Sequence, residues 1–148
     1  MDKPDESSIE RWLIKADHDL FTAKTMLTTD PPVTDTACFH AQQCVEKCLK
    51  AFLVFAGTHV EKTHYLPRLV ELCRGSDSSF REVEDIAIDL TDYAVSDRYP
   101  DAWREIPLNE AKDAVQKAET VTAFVRARLS GGLKRLSQNP TYSRKLMH

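Results

Sequence analysis

An all-α fold is expected, an antiparallel up-down bundle of four long helices plus one short helix. Three features of the 148-residue sequence predict it. Apolar residues recur at spacings of three and four over long stretches, the mark of a buried helical face. The chain has only four glycines, and strand-rich folds need more for their turns. The links between periodic stretches are short, which favours antiparallel neighbours. With 42% hydrophobic and 29% charged residues, the length suits one domain that buries its own core.

The first helix is expected to open at a capping box, Ser7-Ser8-Ile9-Glu10, in which a serine satisfies a free N–H and Glu10 reaches back. Ile9, Leu13, Ala16, Leu20, Ala23 and Leu27 form its stripe, flanked by Trp12. It should stop near Thr28, before Asp30-Pro31-Pro32, because proline restricts the residue before it. The second helix is expected from Thr34 to Ala56, ended by Gly57. Its Phe52-Leu53-Val54-Phe55 end is apolar nearly all round, so that end belongs in the core. Thr63 is the expected cap for a short third helix carrying Leu66, Leu69, Val70 and Cys73, with Pro67 near its first turn and Gly75 after it. Ser79 and Glu82 form another capping box. A long fourth helix should follow, through Phe80, Val83, Ala87, Leu90 and Ala94. Pro100 and Pro107 bound a loop, and the last helix runs from Leu108 to Leu129 up to Gly131-Gly132. Residues 1–132 thus make the bundle, and residues 133–148 a basic, flexible tail.

The charge is uneven. Six of the 20 basic residues and none of the 23 acidic ones follow Glu119, so residues 1–119 carry a net −9. A basic end on an acidic body can meet nucleic acid or an acidic partner, or simply be a solvated tail. No apolar run approaches the ~18 residues a membrane span needs. The start, MDKPDESS, is polar and acidic, unlike a secretory signal. A cytoplasmic protein with free thiols at Cys38, Cys44, Cys48 and Cys73 is therefore expected. Their spacing fits no zinc or redox pattern, so no metal and no cofactor is expected. They read as small buried hydrophobes.

Two polar constellations stand out. On a helical wheel His40, Gln43, Lys47 and Lys50 of the second helix fall within about a quarter turn, with Gln42 and Glu46 extending the arc. Lysine supplies point charge, while histidine and glutamine supply directed hydrogen bonds. Such a strip can hold a phosphate or a nucleotide edge, though a solvated helix face is the commoner use. In the loop SDRYPD, Arg98 and Tyr99 offer a fork of donors and a stacking surface, or else Arg98 pairs with an acid and Tyr99 packs on the bundle.

Four segments in order carry a resemblance: W-L-x-x-A-x-x-D-L-x-x-A from Trp12 to Ala23, C-F-H-A-Q-Q-x-x-E-K-x-L-K-A from Cys38 to Ala51, K-T-H-Y-L from Lys62 to Leu66, and D-R-Y-P from Asp97 to Pro100. To about residue 130 the chain resembles the HEPN domain family, a nucleotide-binding helical domain shared by higher eukaryotes and prokaryotes. That resemblance implies a bundle of four or five helices, often a homodimer. It implies, for small prokaryotic members, a minimal nucleotidyltransferase partner, often in a toxin–antitoxin pair. Many members are metal-independent RNases with an R-x(4–6)-H motif late in the bundle. Here the only match is Arg11 followed by His18, in the first helix, and it reads as fortuitous; after Arg98 and Arg104 no histidine occurs until His148.

Three functions follow from the resemblance and the strip. The first is a nucleotide- or RNA-binding module that uses His40, Gln43, Lys47, Lys50, Arg98 and Tyr99 and acts with a nucleotidyltransferase-domain partner. The second is an endoribonuclease toxin with His40 and Arg98 as its catalytic pair. The third is a scaffold that only dimerises or docks. His64 is a further candidate, though a histidine there is more often structural.

Overall fold

Each of the expected periodic stretches becomes helix, but the boundaries move for identifiable reasons. The computed structural model describes residues 5–96 and 104–130, so Arg98, Tyr99 and the basic tail lie outside the described residues. Helix α1 is Glu6–Met26, α2 Thr34–Phe55, α3 Leu66–Arg74, α4 Glu84–Thr91, α5 Tyr93–Ser96 and α6 Leu108–Leu129, with a 3-10 segment at Ser78–Val83 ahead of α4. Among the described residues every regular element is helical, and no helix is long and apolar enough to cross a membrane.

Asp5, not a serine, caps α1. Its carboxylate accepts from the Ser8 amide at 3.2 Å, and Glu6 sits in the first turn, where the helix dipole favours negative charge. The helix therefore begins earlier than the serine box implies. Helix α2 ends in a Schellman motif. The Gly57 amide donates to Val54 and the Thr58 amide to Leu53, while Gly57 takes a φ of 72° that a side chain would strain. Thr63 does not cap α3. Its hydroxyl accepts from the Tyr65 amide, and the Leu66 amide is met by the Thr91 hydroxyl at 3.1 Å.

The largest departure is the expected long fourth helix, which is a rod of three short pieces. Asp77 caps the first piece by accepting from the Ser79 amide at 2.9 Å. Phe80 and Val83 are both buried, and their spacing of three suits a 3-10 turn, in which such residues lie on one line. The α-helical spacing resumes through Ala87, Leu90 and Ala94, all buried.

Side-chain pairs fix the directions. Asp17 lies 3.8 Å from Arg126 and Lys24 3.4 Å from Glu119, so α1 and α6 are antiparallel. Trp12 meets Lys50 and Asp19 meets His40, so α1 and α2 are antiparallel too. The segmented rod runs opposite to α6, with Arg128 near Asp77 and Lys117 bonded to Asp89. These four rods alternate up and down, and α3 lies at their side.

Helix α2 is the axis of the core. Phe52 meets Phe80 at 4.4 Å, and Phe80 meets Phe124 at 5.0 Å, between ring centroids. The four cysteines are free and buried. Cys44 and Cys48 lie 3.3 and 3.6 Å from the Thr122 hydroxyl. Burial pushes the Cys38 thiol up to about 11 and that of Cys73 to about 12, so both stay protonated and pack as small apolar groups.

Candidate functional site

The polar arc of α2 is not an open face, because α1 and the segment before α3 close over much of it. Two carboxylates organise what lies there, and each has the same three-part arrangement. Asp19 of α1 takes His40 Nδ1 at 2.8 Å on Oδ1 and the Lys47 ammonium on Oδ2. Glu46 of α2 takes His64 Nδ1 at 2.8 Å on Oε1 and the Lys50 ammonium at 3.0 Å on Oε2. A pair of glutamines leads to the Glu46 side of the arc. Gln43 donates to the Gln42 side-chain carbonyl at 2.7 Å, and Gln42 donates to the His64 backbone carbonyl at 3.0 Å.

The register explains both groupings. Gln42, Glu46 and Lys50 are spaced by four and stack along one line of α2, while His40, Gln43 and Lys47 form the neighbouring line. Asp19 sits on the α1 stripe between Ala16 and Ala23, both fully buried. A carboxylate at an apolar register position needs partners, since burying a lone charge is costly. The second helix supplies two. The same rule, an acid inside an apolar stripe, is the signal that would have found Asp19 from the sequence.

Of the residues expected on the strip, His40 and Lys47 keep partial access, with 28% and 21% of their side chains exposed. Gln43 is half-buried. Lys50 is not on an open strip: 8% of its side chain is exposed, and it is paired to Glu46 beneath Trp12. His64 is the more open histidine, at 55%. The two acids balance the two lysines, so the arc is much less positive than its lysines imply.

Chemically, an ionised carboxylate only accepts hydrogen bonds, so the His40 Nδ1 facing Asp19 carries the proton. Nε2 of a neutral ring is then a free lone pair, and it has no partner among the described residues. An imidazole oriented this way can accept a proton or a hydrogen bond from a ligand.

The described stems of the SDRYPD loop meet at Glu110. Tyr93 donates to it at 2.6 Å, and Arg104 binds it through two nitrogens at 3.1 and 2.6 Å. The Arg104 guanidinium, followed by the Tyr93 hydroxyl, holds the Glu110 carboxyl below the usual glutamate range. Burial, then the bond to Glu110, pushes the Tyr93 hydroxyl up.

The HEPN domain profile matches residues 9–128. The chain belongs to the HEPN domain family. Its backbone is similar to that of TT1696 from Thermus thermophilus, with 29% identity and a TM-score of 0.71, covering 82% of this chain and 98% of that one. It also shares its fold with ST0689, an archaeal HEPN homologue, at 23% identity and a TM-score of 0.64, covering 87% of this chain and 99% of that one. Among curated proteins none matches the chain. In this HEPN domain Arg11 and His18 are exposed on α1. Arg11 bonds the Ser7 hydroxyl at 2.6 Å. Seven residues of helix separate the pair by about 10 Å along the axis, and nothing among the described residues draws them together.

Proposed function

We propose that the protein is a nucleotide- or RNA-binding HEPN module that pairs as a homodimer and acts with a minimal nucleotidyltransferase partner in a toxin–antitoxin-like pair. The observation that carries the binding site is the partly open His40, oriented through Nδ1 by Asp19 with Lys47 on the other carboxylate oxygen. The imidazole Nε2 and the Gln43 amide would meet ribose or base edges. Lys47 would meet phosphate when it exchanges Asp19 for the ligand. Arg98 and Tyr99 are proposed to complete the contact. Lys50, sealed against Glu46, lies outside this proposed contact.

The test is binding of ATP, GTP and short RNA to the full chain and to the Lys47→Ala, Arg98→Ala double variant. A loss of tenfold or more is expected, and unchanged affinity for every ligand removes the site assignment. Copurification of a nucleotidyltransferase-domain protein from the native host tests the partner.

The same oriented imidazole favours a second reading, a metal-independent endoribonuclease. His40 Nε2 would take the proton of a ribose 2′-hydroxyl as that oxygen attacks phosphorus. The 5′-oxygen would leave, taking a proton from solvent, and Arg98 would steady the phosphate charge. Cleavage of RNA in the presence of a chelator, abolished by His40→Ala, would favour this reading. Intact RNA and harmless overexpression would leave the binding module.

A further inference from the structure

The outer face of α4 carries charge that the bundle leaves unanswered. Asp85, Ile88 and Asp92 are all exposed, and at ~100° per residue they share an arc of about 60°. Glu84 beside them is paired to Arg74 of α3 and Asp89 to Lys117 of α6, so the arc lies between the two edges of the rod that touch neighbours. Asp85 and Asp92 have no ion pair among the described residues. Asp92 caps the C-terminal end of α4, where the helix dipole disfavours negative charge, and Asp85 and Asp89 repel at a spacing of four. Ile88, 58% exposed, stands between the two unpaired acids. The face thus suits an apolar group flanked by cations.

The chain holds such a segment within reach. The 18 residues after Ser130 include no acid, and their first charged stretch reads Leu133-Lys134-Arg135-Leu136. Helix α6 delivers it to the near end of the rod, since Arg128 donates to the Ser79 hydroxyl at 2.9 Å and lies 3.5 Å from Asp77. From Ser79 to Asp92 the rod rises about 20 Å, while the eight residues from Arg128 to Leu136 span about 26 Å when extended. We propose that Leu133–Leu136 docks on the outer face of α4 of the same chain, with Lys134 and Arg135 on Asp85 and Asp92 and the leucines against Ile88. A basic end held in this way is withheld from any other acidic partner until that partner competes with α4.

The test is limited digestion of the full chain with chymotrypsin, which cuts after leucine and tyrosine, so charge changes leave its sites in place. Mass spectrometry follows clipping between Leu133 and Tyr142, each rate being divided by that of the free 131–148 peptide with the same sequence. The full chain should be clipped at least tenfold more slowly than its peptide. Asp85→Lys with Asp92→Lys should remove most of that protection, Lys134→Glu with Arg135→Glu should do the same, and all four together should restore it. The second pair alters no described residue, so its effect cannot pass through folding of the bundle. Ile88→Ser should weaken the protection less, and high salt should weaken it in the unaltered chain. Clipping as fast as the free peptide, no response to the α4 reversal, or no recovery in the fourfold variant would overturn the docking. Protection that grows with protein concentration would place the segment on a second copy and overturn it as a contact within one chain.

Discussion

Asp19 and Glu46 hold the same set of groups, a histidine Nδ1 on one oxygen and a lysine ammonium on the other, yet their surroundings invert the roles. Around Glu46 the lysine is sealed, with 8% of its side chain exposed, and the histidine is open at 55%. Around Asp19 both partners are at the edge, 28% and 21% exposed. One unit therefore closes a charge inside the protein and pins the segment before α3 to α2. The other presents an oriented imidazole and a lysine that water can reach. Identical contacts serve structure where the cation has no exit and are available for binding where it has one.

Removal of each acid breaks this comparison most directly. Glu46→Ala leaves the Lys50 ammonium buried without a counter-charge, and breaking a buried pair in this way costs about 3–5 kcal/mol. A matching fall in stability is expected from urea denaturation. Adding Lys50→Met should recover most of the loss, because an apolar side chain of similar length needs no partner. If the double variant is as unstable as the single one, Lys50 is not the cause.

Asp19→Ala should cost less, about 1–2 kcal/mol, since Lys47 and His40 can turn to water once released. Equal losses in the two alanine variants would erase the distinction between the units. The histidines should separate in the opposite sense. His40→Ala is expected to weaken ATP or RNA binding tenfold or more with little change in urea midpoint. His64→Ala is expected to lower stability by about 0.5–1 kcal/mol, the ordinary worth of one hydrogen bond, with binding changed less than twofold.

How far the sequence reveals these units follows from what a one-dimensional period can carry. The helix over Leu108–Leu129 is legible to the residue, because proline precedes it and a strong apolar stripe fills it. The rod from Ser78 to Ser96 is legible as helical and not as segmented, since Phe80 and Val83 satisfy the periods of both helix types. The wheel places His40, Gln43 and Lys47 along one line of α2, which is a single helix over all three. It cannot tell that Trp12 covers Lys50, because the wheel of one helix does not know which neighbour lies against it. Asp19 is visible only as an acid inside an apolar stripe, and its partners are 21 and 28 residues away.

A third carboxylate with two partners sharpens the comparison by its response to acid, with the smallest effect of the set. Glu110 accepts from Arg104 and Tyr93, and its pKa in the folded chain lies below the ordinary glutamate value of 4.5. A depressed folded value means that the unfolded chain binds the proton more readily. The stabilisation is thus fully present above pH 4.5, and it is lost as the pH falls from there through the lower folded value. Asp77, held down by the Ser79 hydroxyl and amide, works in the same direction below its ordinary 3.8. The urea midpoint should therefore drop between about pH 5 and pH 3, and the drop should be smaller in Glu110→Gln, which keeps a hydrogen-bonding group there without the titrating proton. Both partners of Glu110 reach solvent, with 59% of the Arg104 side chain exposed, so salt should shrink the difference between the two proteins. A drop of the same size in Glu110→Gln would mean that the clamp on the loop stems does not couple to folding, and that the acid sensitivity belongs to other carboxylates.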